Sequence, residues 1–185
     1  MKLDVSSLSL PDVKLIRSGR IADVRGYFLE TYVYRDFAAF GICLNFIQDN
    51  QSFSTAAGTI RGLHFQIPPF TQSKLVRVLR GRIFDVVVDL RKASADFGRH
   101  LAIELRADSG DQLLVPAGFA HGFCTMAPDT EVFYKVDNIY SSAHDRGLNW
   151  ADPALGIEWP VSESQAILSE KDKTHPVLSA LPDFF

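Results

Sequence analysis

An all-β fold is what these 185 residues predict, and three observations carry it. Val, Ile, Leu and the fourteen Phe fall in short runs bounded by Gly, Pro, Asp and Ser, the punctuation of strands and turns. The longest run, Phe84-Asp85-Val86-Val87-Val88-Asp89, is too rich in β-branched residues to favour helix. Helical pattern is confined to two stretches, each enough for a turn or two.

In chain order, Tyr27 to Tyr34 (YFLETYVY) is aromatic and roughly alternating, and reads as a strand. Arg35 to Phe40 reads as a short helix stopped by Gly41. Leu75 to Leu79 and Ile83 to Leu90 read as a pair of strands, with Arg80-Gly81-Arg82 as their turn. Leu101 to Leu105 and Gln112 to Val115 follow, separated by the turn Ala107-Asp108-Ser109-Gly110. Glu131 to Val136 comes after the turn at Ala127-Pro128-Asp129, and Ser162 to Leu168 is the second short helical candidate. Many short strands with regular turns suit a sandwich or barrel. No repeat, linker or low-complexity tract divides the chain, so residues 1–185 are expected to form one domain.

Nineteen basic against 22 acidic residues give a net charge of −3, which argues against non-specific binding to nucleic acid or a membrane surface. The first eleven residues carry acidic and polar groups where a signal peptide needs an apolar core, and no run approaches the length of a membrane helix. Cys43 and Cys124 form no framework and lack metal-ligand spacing, so a reducing, cytoplasmic setting is expected.

Two segments concentrate chemistry. Gly58-Thr-Ile-Arg61-Gly62-Leu-His64-Phe-Gln66, closed by Gly81, and Gly110-Asp-Gln-Leu-Leu-Val-Pro116-Ala-Gly118-Phe-Ala-His121 resemble the two sequence motifs of cupin jelly rolls. A metal-binding cupin offers a second His two residues after the first and then an acid. Here Gln66 holds the former position, and Lys74 lies where the acid is expected. An amide is a poor ligand and an ammonium is none, so no metal is expected. A barrel mouth holding Arg61, His64, Lys74 and His121 suits an anionic, oxygen-rich ligand.

An ordered series makes the resemblance specific. Gln48-Asp49-Asn50, Arg61-Gly-Leu-His64-Phe-Gln66, Gln72-Ser-Lys74 and Phe84-Asp85-Val-Val-Val-Asp89-Leu-Arg91 are followed by Pro116-Ala-Gly118-Phe-Ala-His121. Tyr134-Lys135-Val-Asp137 and Ser169-Glu-Lys171-Asp172 complete it. From about Asp23 to Asp172 the chain is similar to the dTDP-4-dehydrorhamnose 3,5-epimerase family. The resemblance implies a cupin-type jelly-roll sandwich with short helices towards the N-terminal side and the C-terminus. It also implies a homodimer and a dTDP-4-keto-6-deoxyhexose substrate, with no cofactor.

The implied reaction accounts for the residue types. Hydrogens at C3 and C5 of a 4-keto sugar are acidic, because the carbanion is stabilised as an enolate on the C4 oxygen. Epimerisation then needs a base, an acid on the opposite face, and a cation at that oxygen. By family position His64 is the base, Asp172 its orienting carboxylate, Lys74 the enolate-stabilising cation and Tyr134 the proton donor. For binding, the resemblance assigns Arg25 and Arg61 to the diphosphate. Glu30, Gln48 and Asn50 are matched to hydrogen bonds with nucleotide or sugar, Phe28 and Tyr140 to the thymine, and His121 to the sugar or phosphate end. Asp145 stands where the family commonly has Glu, and Lys171 matches a nucleotide contact. The strand carrying Arg25, Phe28 and Glu30 serves the neighbouring subunit in such dimers.

Taken singly these residues say less. A lone His64 is more often a satisfied structural histidine, Tyr134 a strand aromatic and Asp172 an exposed charge. Asp85 and Asp89 suit an ion pair as well as a ligand contact. His100, His144 and His175 match no constellation and are expected at the surface, while Trp150, Trp159 and Cys124 are expected to pack. Three alternatives stand beside double epimerisation: a C3-only or C5-only epimerase, a metal-dependent cupin enzyme, and a non-catalytic carbohydrate-binding jelly roll.

Overall fold

The computed structural model describes residues 3–185. Two antiparallel sheets face each other. The first runs in the order β1 (Leu3–Ser7), β2 (Lys14–Ser18), β10 (Gln112–Val115), β7 (Lys74–Arg80), β12 (Thr130–Val136), β5 (Gln48–Ser54). The second runs β13 (Asp145–Gly147), β6 (Ile60–Gln66), β11 (Phe119–Thr125), β8 (Arg82–Asp89), β9 (His100–Arg106). A separate hairpin pairs β3 (Ile21–Asp23) with β4 (Gly26–Phe28), and one short helix, α1 (Tyr34–Ala38), follows it. Among the described residues no helix is long and apolar enough to cross a membrane.

Between the sheets lies a core of Val76, Val78, Ile83, Val87, Leu113, Phe119, Phe123 and Val132, with their neighbours. The outer face of the second sheet is also covered. Val86, Val88, Leu63 and Phe65 pack there under Leu148, Leu155 and the C-terminal Leu178, Phe184 and Phe185. Double coverage explains why β8 reads as an unbroken apolar run: successive valines point to opposite faces, and both faces are dry. On the first sheet, α1 and the chain after it seal Ile16, Leu75 and Leu114 with Phe37 and Ile42.

Three expectations need correction. The strand expected over Tyr27–Tyr34 stops at Phe28, and Tyr34 opens the helix. Tyr32 leaves the pattern because its ring packs edge-on against Phe37 and Phe46 and its hydroxyl donates to the Leu44 carbonyl. The pair β7 and β8 is no hairpin: its members lie in different sheets, and Gly81 (φ +80°) turns the corner between them. A Cβ there would sit 2.4 Å from Thr130 Oγ1. The segment between β9 and β10 likewise crosses between sheets. Finally, Ser162–Leu168 makes one turn and then forms an isolated parallel bridge between Ile167 and Thr59, the residue before β6. Bonds from Ile60 N to Ile167 O and from Ile167 N to Gly58 O take the backbone groups a helix would need. That bridge brings the following residues, Ser169 to Asp172, over the mouth of the sandwich. Trp150 and Cys124 are buried as expected, and Trp159 packs against both.

Candidate active site

Side chains from both sheets converge on one cleft. β6 and β11 bring Arg61, His64 and His121, β7 and β12 bring Lys74 and Tyr134, and β5 presents Gln48, Asn50 and Ser52 from alternate positions on one face. Two adjoining lobes of about 420 and 250 Å³ share His64, Lys74, Tyr134 and Lys171 in their walls. The close approach of β6 to β11 depends on Gly62 (φ +123°): a Cβ there would lie 2.6 Å from Gly122 Cα and 2.8 Å from the His121 carbonyl. The ladder shifts register just beyond, between His121 and Phe123, and pairs His64 with His121 across the strands.

His64 Nε2 is 2.6 Å from Asp172 Oδ1. The carboxylate is buried, while the imidazole remains one-third exposed to the cleft. Burial raises the Asp172 carboxyl, but the hydrogen bond and charge of His64, with help from Ser169 and the Gly62 backbone, outweigh it and hold Asp172 below the usual carboxylate range. With Nε2 committed to Asp172, Nδ1 is the nitrogen of His64 that can exchange a proton with a ligand.

Lys74 Nζ donates to the His64 carbonyl at 3.2 Å. Its removal from bulk water pushes the ammonium down to about 8, against the pull of the Asp145 and Asp85 charges. Tyr134 is raised by burial and by Asp145, with Arg61 opposing, so it stands in the cleft as a neutral phenol. His121 and Asp85 form a second, fully buried imidazole–carboxylate pair at 3.0 Å. Asp89 is bound instead by Arg91 at 2.6 Å and by Ser94, so the two strand acids have different partners and neither opens to the cleft.

The other lobe holds Gln48, Asn50, Tyr140 and Asp145. Asp145 accepts from the Tyr140 hydroxyl at 3.1 Å and forms a tight ion pair with Lys171, so the shorter acid has two partners. Gln66, at the second cupin-ligand position, is buried and fully engaged: its amide donates to the Phe70 and Ile139 carbonyls and accepts from Ser141 N. Arg61 borders the first lobe and donates to Ser54 Oγ and the Phe53 carbonyl. Arg25, Phe28 and Glu30 line neither lobe. Arg25 is 85% exposed and paired with Asp23 on the β3–β4 hairpin, which stands outside both sheets.

His175 overturns its surface assignment. Its side chain is 8% exposed, and Nε2 lies 3.3 Å from Asp172 Oδ1. The acid and the histidine are three residues apart across a short 3-10 turn, Asp172–Thr174, and that Asp-x-x-His spacing was the available signal. His64, Asp172 and His175 present ligand-type atoms within 4.8 Å of one another, the one such grouping among the described residues. The metal-dependent alternative therefore has a histidine pair at this point that the sequence did not suggest. The 2.6 Å contact nevertheless makes His64 and Asp172 a hydrogen-bonded dyad.

Residues 7–180 match the profile of the family described as dTDP-4-dehydrorhamnose 3,5-epimerase. The chain belongs to that family. A dTDP-4-dehydrorhamnose 3,5-epimerase of Sinorhizobium fredii is 50% identical over 97% of this chain and 91% of its own. Among solved structures, the dTDP-4-dehydrorhamnose 3,5-epimerase of Bacillus anthracis, with TDP and PPi bound, is 48% identical with a TM-score of 0.92, covering 95% of this chain and 99% of that one. The dTDP-6-deoxy-D-glucose-3,5-epimerase of Legionella pneumophila, in complex with dTDP-4-keto-L-rhamnose, is 35% identical with a TM-score of 0.93, covering 98% and 95%. The two-sheet sandwich is thus that of the 3,5-epimerase family.

Proposed function

We propose that this chain inverts C3 and C5 of dTDP-4-dehydro-6-deoxy-D-glucose, giving dTDP-4-dehydro-L-rhamnose for rhamnose biosynthesis. The observation that carries the reading is one cleft holding a carboxylate-supported imidazole, a desolvated ammonium and a buried phenol. His64 Nδ1 takes the proton from carbon, and the electron pair moves through the new C–C double bond onto the C4 oxygen. Asp172 stabilises the imidazolium so formed, and Lys74 stabilises the enolate. Tyr134 delivers a proton to the opposite face, the ketone re-forms, and the two protein groups return to their starting states through solvent. The same cycle at the other carbon completes the double inversion.

Arg61 and His121 serve the diphosphate and sugar end of the substrate. Gln48, Asn50, Tyr140, Asp145 and Lys171 serve the nucleotide end, in the smaller lobe. Arg25, Phe28 and Glu30 act in the cleft of a second copy in a homodimer. The apolar exposure of Ile21, Val24, Tyr27 and Phe28 on the hairpin supports that role. The chain works as one domain in the cytoplasm, where its nucleotide-sugar substrate and two free thiols are at home.

The test is product identity. The purified protein is mixed with the 4-keto substrate and a 4-ketoreductase, and dTDP-L-rhamnose is the expected product. A sugar inverted at one carbon only would replace this reading with that of a single-carbon epimerase, and return of unchanged substrate would refute it.

A further inference from the structure

We propose that His175 is a positioning residue of the epimerisation site: a neutral imidazole whose Nε2–H stands by as a second donor to Asp172 Oδ1 and thereby sets how strongly that carboxylate supports a proton on His64. The inference rests on His64 being the base.

Four observations carry it. Oδ1 of Asp172 faces two imidazole nitrogens, His64 at 2.6 Å and His175 at 3.3 Å. The two rings stand edge-to-face with centroids 5.5 Å apart. His175 Nε2 is buried, and its 3.3 Å approach to Oδ1 falls short of a well-formed hydrogen bond. A small ring rotation makes the bond, and a buried donor left without one is costly. Finally, the space for the ring is built in: Gly147 on β13 lies against it, and a Cβ at that position would collide with His175 Nε2. The backbone bond from Asn149 N to Pro176 O fixes the segment in that place.

The charge balance gives the direction of the effect. The ionisable groups that act on His175 are His64 from β6 and Asp172 and Lys171 from its own turn, and Gly147 of β13 lies against its ring. Burial first, then His64 and Lys171, outweigh the charge and hydrogen bond of Asp172 and hold His175 below the usual imidazole range. A neutral Nε2–H competes with His64 for one carboxylate oxygen. Sharing the carboxylate weakens its hold on the imidazolium, where the ion pair is strongest, more than its hold on the neutral ring, so His175 favours the base-competent form with Nδ1 free. Without His175, the whole Asp172 charge falls to His64, and the enzyme needs a higher pH to free its base.

The pH profile of kcat/KM for deuterium uptake into the substrate reads this out. In His175→Leu the acid limb is expected to move up by about 0.5 to 1 pH unit, a fraction of one hydrogen bond to a charge, with the pH-independent kcat/KM fitted between that limb and the fall near pH 8 within twofold of wild type. Gly147→Ala displaces the ring without removing it and should move the limb in the same direction. His175→Gln keeps an N–H near the Nε2 position and should restore the wild-type limb. An unmoved limb in the first two variants, or an equal shift in the glutamine variant, overturns the proposal. Nitrogen NMR of the wild-type protein is independent of folding defects in variants: the neutral Nε2–H tautomer of His175 between pH 6 and 8 is expected, and an Nδ1–H or doubly protonated ring contradicts it. If the wild-type protein takes up no deuterium at all, the epimerase reading fails, while the tautomer measurement still decides the state of His175.

Discussion

Replacing Asp172 with Asn isolates the charge that supports the base. The side-chain volume is nearly unchanged, and the amide oxygen can still accept from His64 Nε2 at the 2.6 Å contact. Only the negative charge is lost, from a site where the carboxylate is 5% exposed and held in its ionised form. A hydrogen bond to a charged group contributes about 1.5 to 3 kcal/mol. If that difference is felt mainly once His64 has become an imidazolium, deprotonation of the substrate slows about 10- to 150-fold. His64 also becomes less basic, so the acid limb of the pH profile moves down as the plateau falls, opposite in sign to the effect of His175→Leu. The assay is single-turnover deuterium uptake at saturating substrate, where kcat rather than KM carries the loss. A plateau within twofold of wild type, or a loss confined to KM, would refute the dyad.

Lys74→Met should slow enolate formation by about 100- to 1,000-fold, the usual effect of losing an oxyanion partner. The same substitution should stabilise the fold. The Lys74 ammonium is depressed from 10.5 to about 8, so between those values the unfolded chain binds the extra proton and stability rises with pH. Below about pH 8 the cost of burying the charge is fully present, and its removal at pH 7 gains at most about 3 kcal/mol in denaturant unfolding. Wild-type turnover should decline as the pH rises through about 8; a flat profile there would contradict the cation role. Tyr134→Phe should reduce net inversion by about 100-fold or more while sparing the first proton abstraction, measured as loss of substrate tritium. Equal losses in both would argue against Tyr134 as donor. Arg25→Ala should raise KM with little change in kcat, and mixing it with a His64→Ala protein should restore part of the low-KM activity through hybrid dimers. No restoration would count against a shared cleft.

Much of this was legible in the sequence because it is local. The β-branched runs place β7 to β10 and β12 to within a residue at each end, since strand alternation and turn residues act over short distances, while β11 is read only as the motif around His121. Partnership is different. Nothing local to Arg80-Gly81-Arg82 says whether the next strand returns to the same sheet or crosses to the facing one, and the corner at Gly81 takes the crossing. Tyr27–Tyr34 failed for a related reason: its aromatic spacing suits a strand, but past Phe28 its backbone has no strand to bond, and Tyr32 turns to the helix. In the site, His64, Lys74, Tyr134 and Asp172 all lie inside the ordered motifs and line one cleft. His175 was missed because its meaning depends on Asp172 being pulled under His64, 108 positions away in sequence, and on a glycine in β13 that leaves room for its ring.

Uptake of deuterium at each carbon position tests the role of His64 at both centres. Wild-type protein and His64→Ala are each incubated with dTDP-4-keto-6-deoxy-D-glucose in deuterium oxide, and C3 and C5 are read separately by NMR. Incorporation is expected at both carbons with the wild-type protein and at neither with the variant. Exchange that persists at either carbon without His64 would contradict that role.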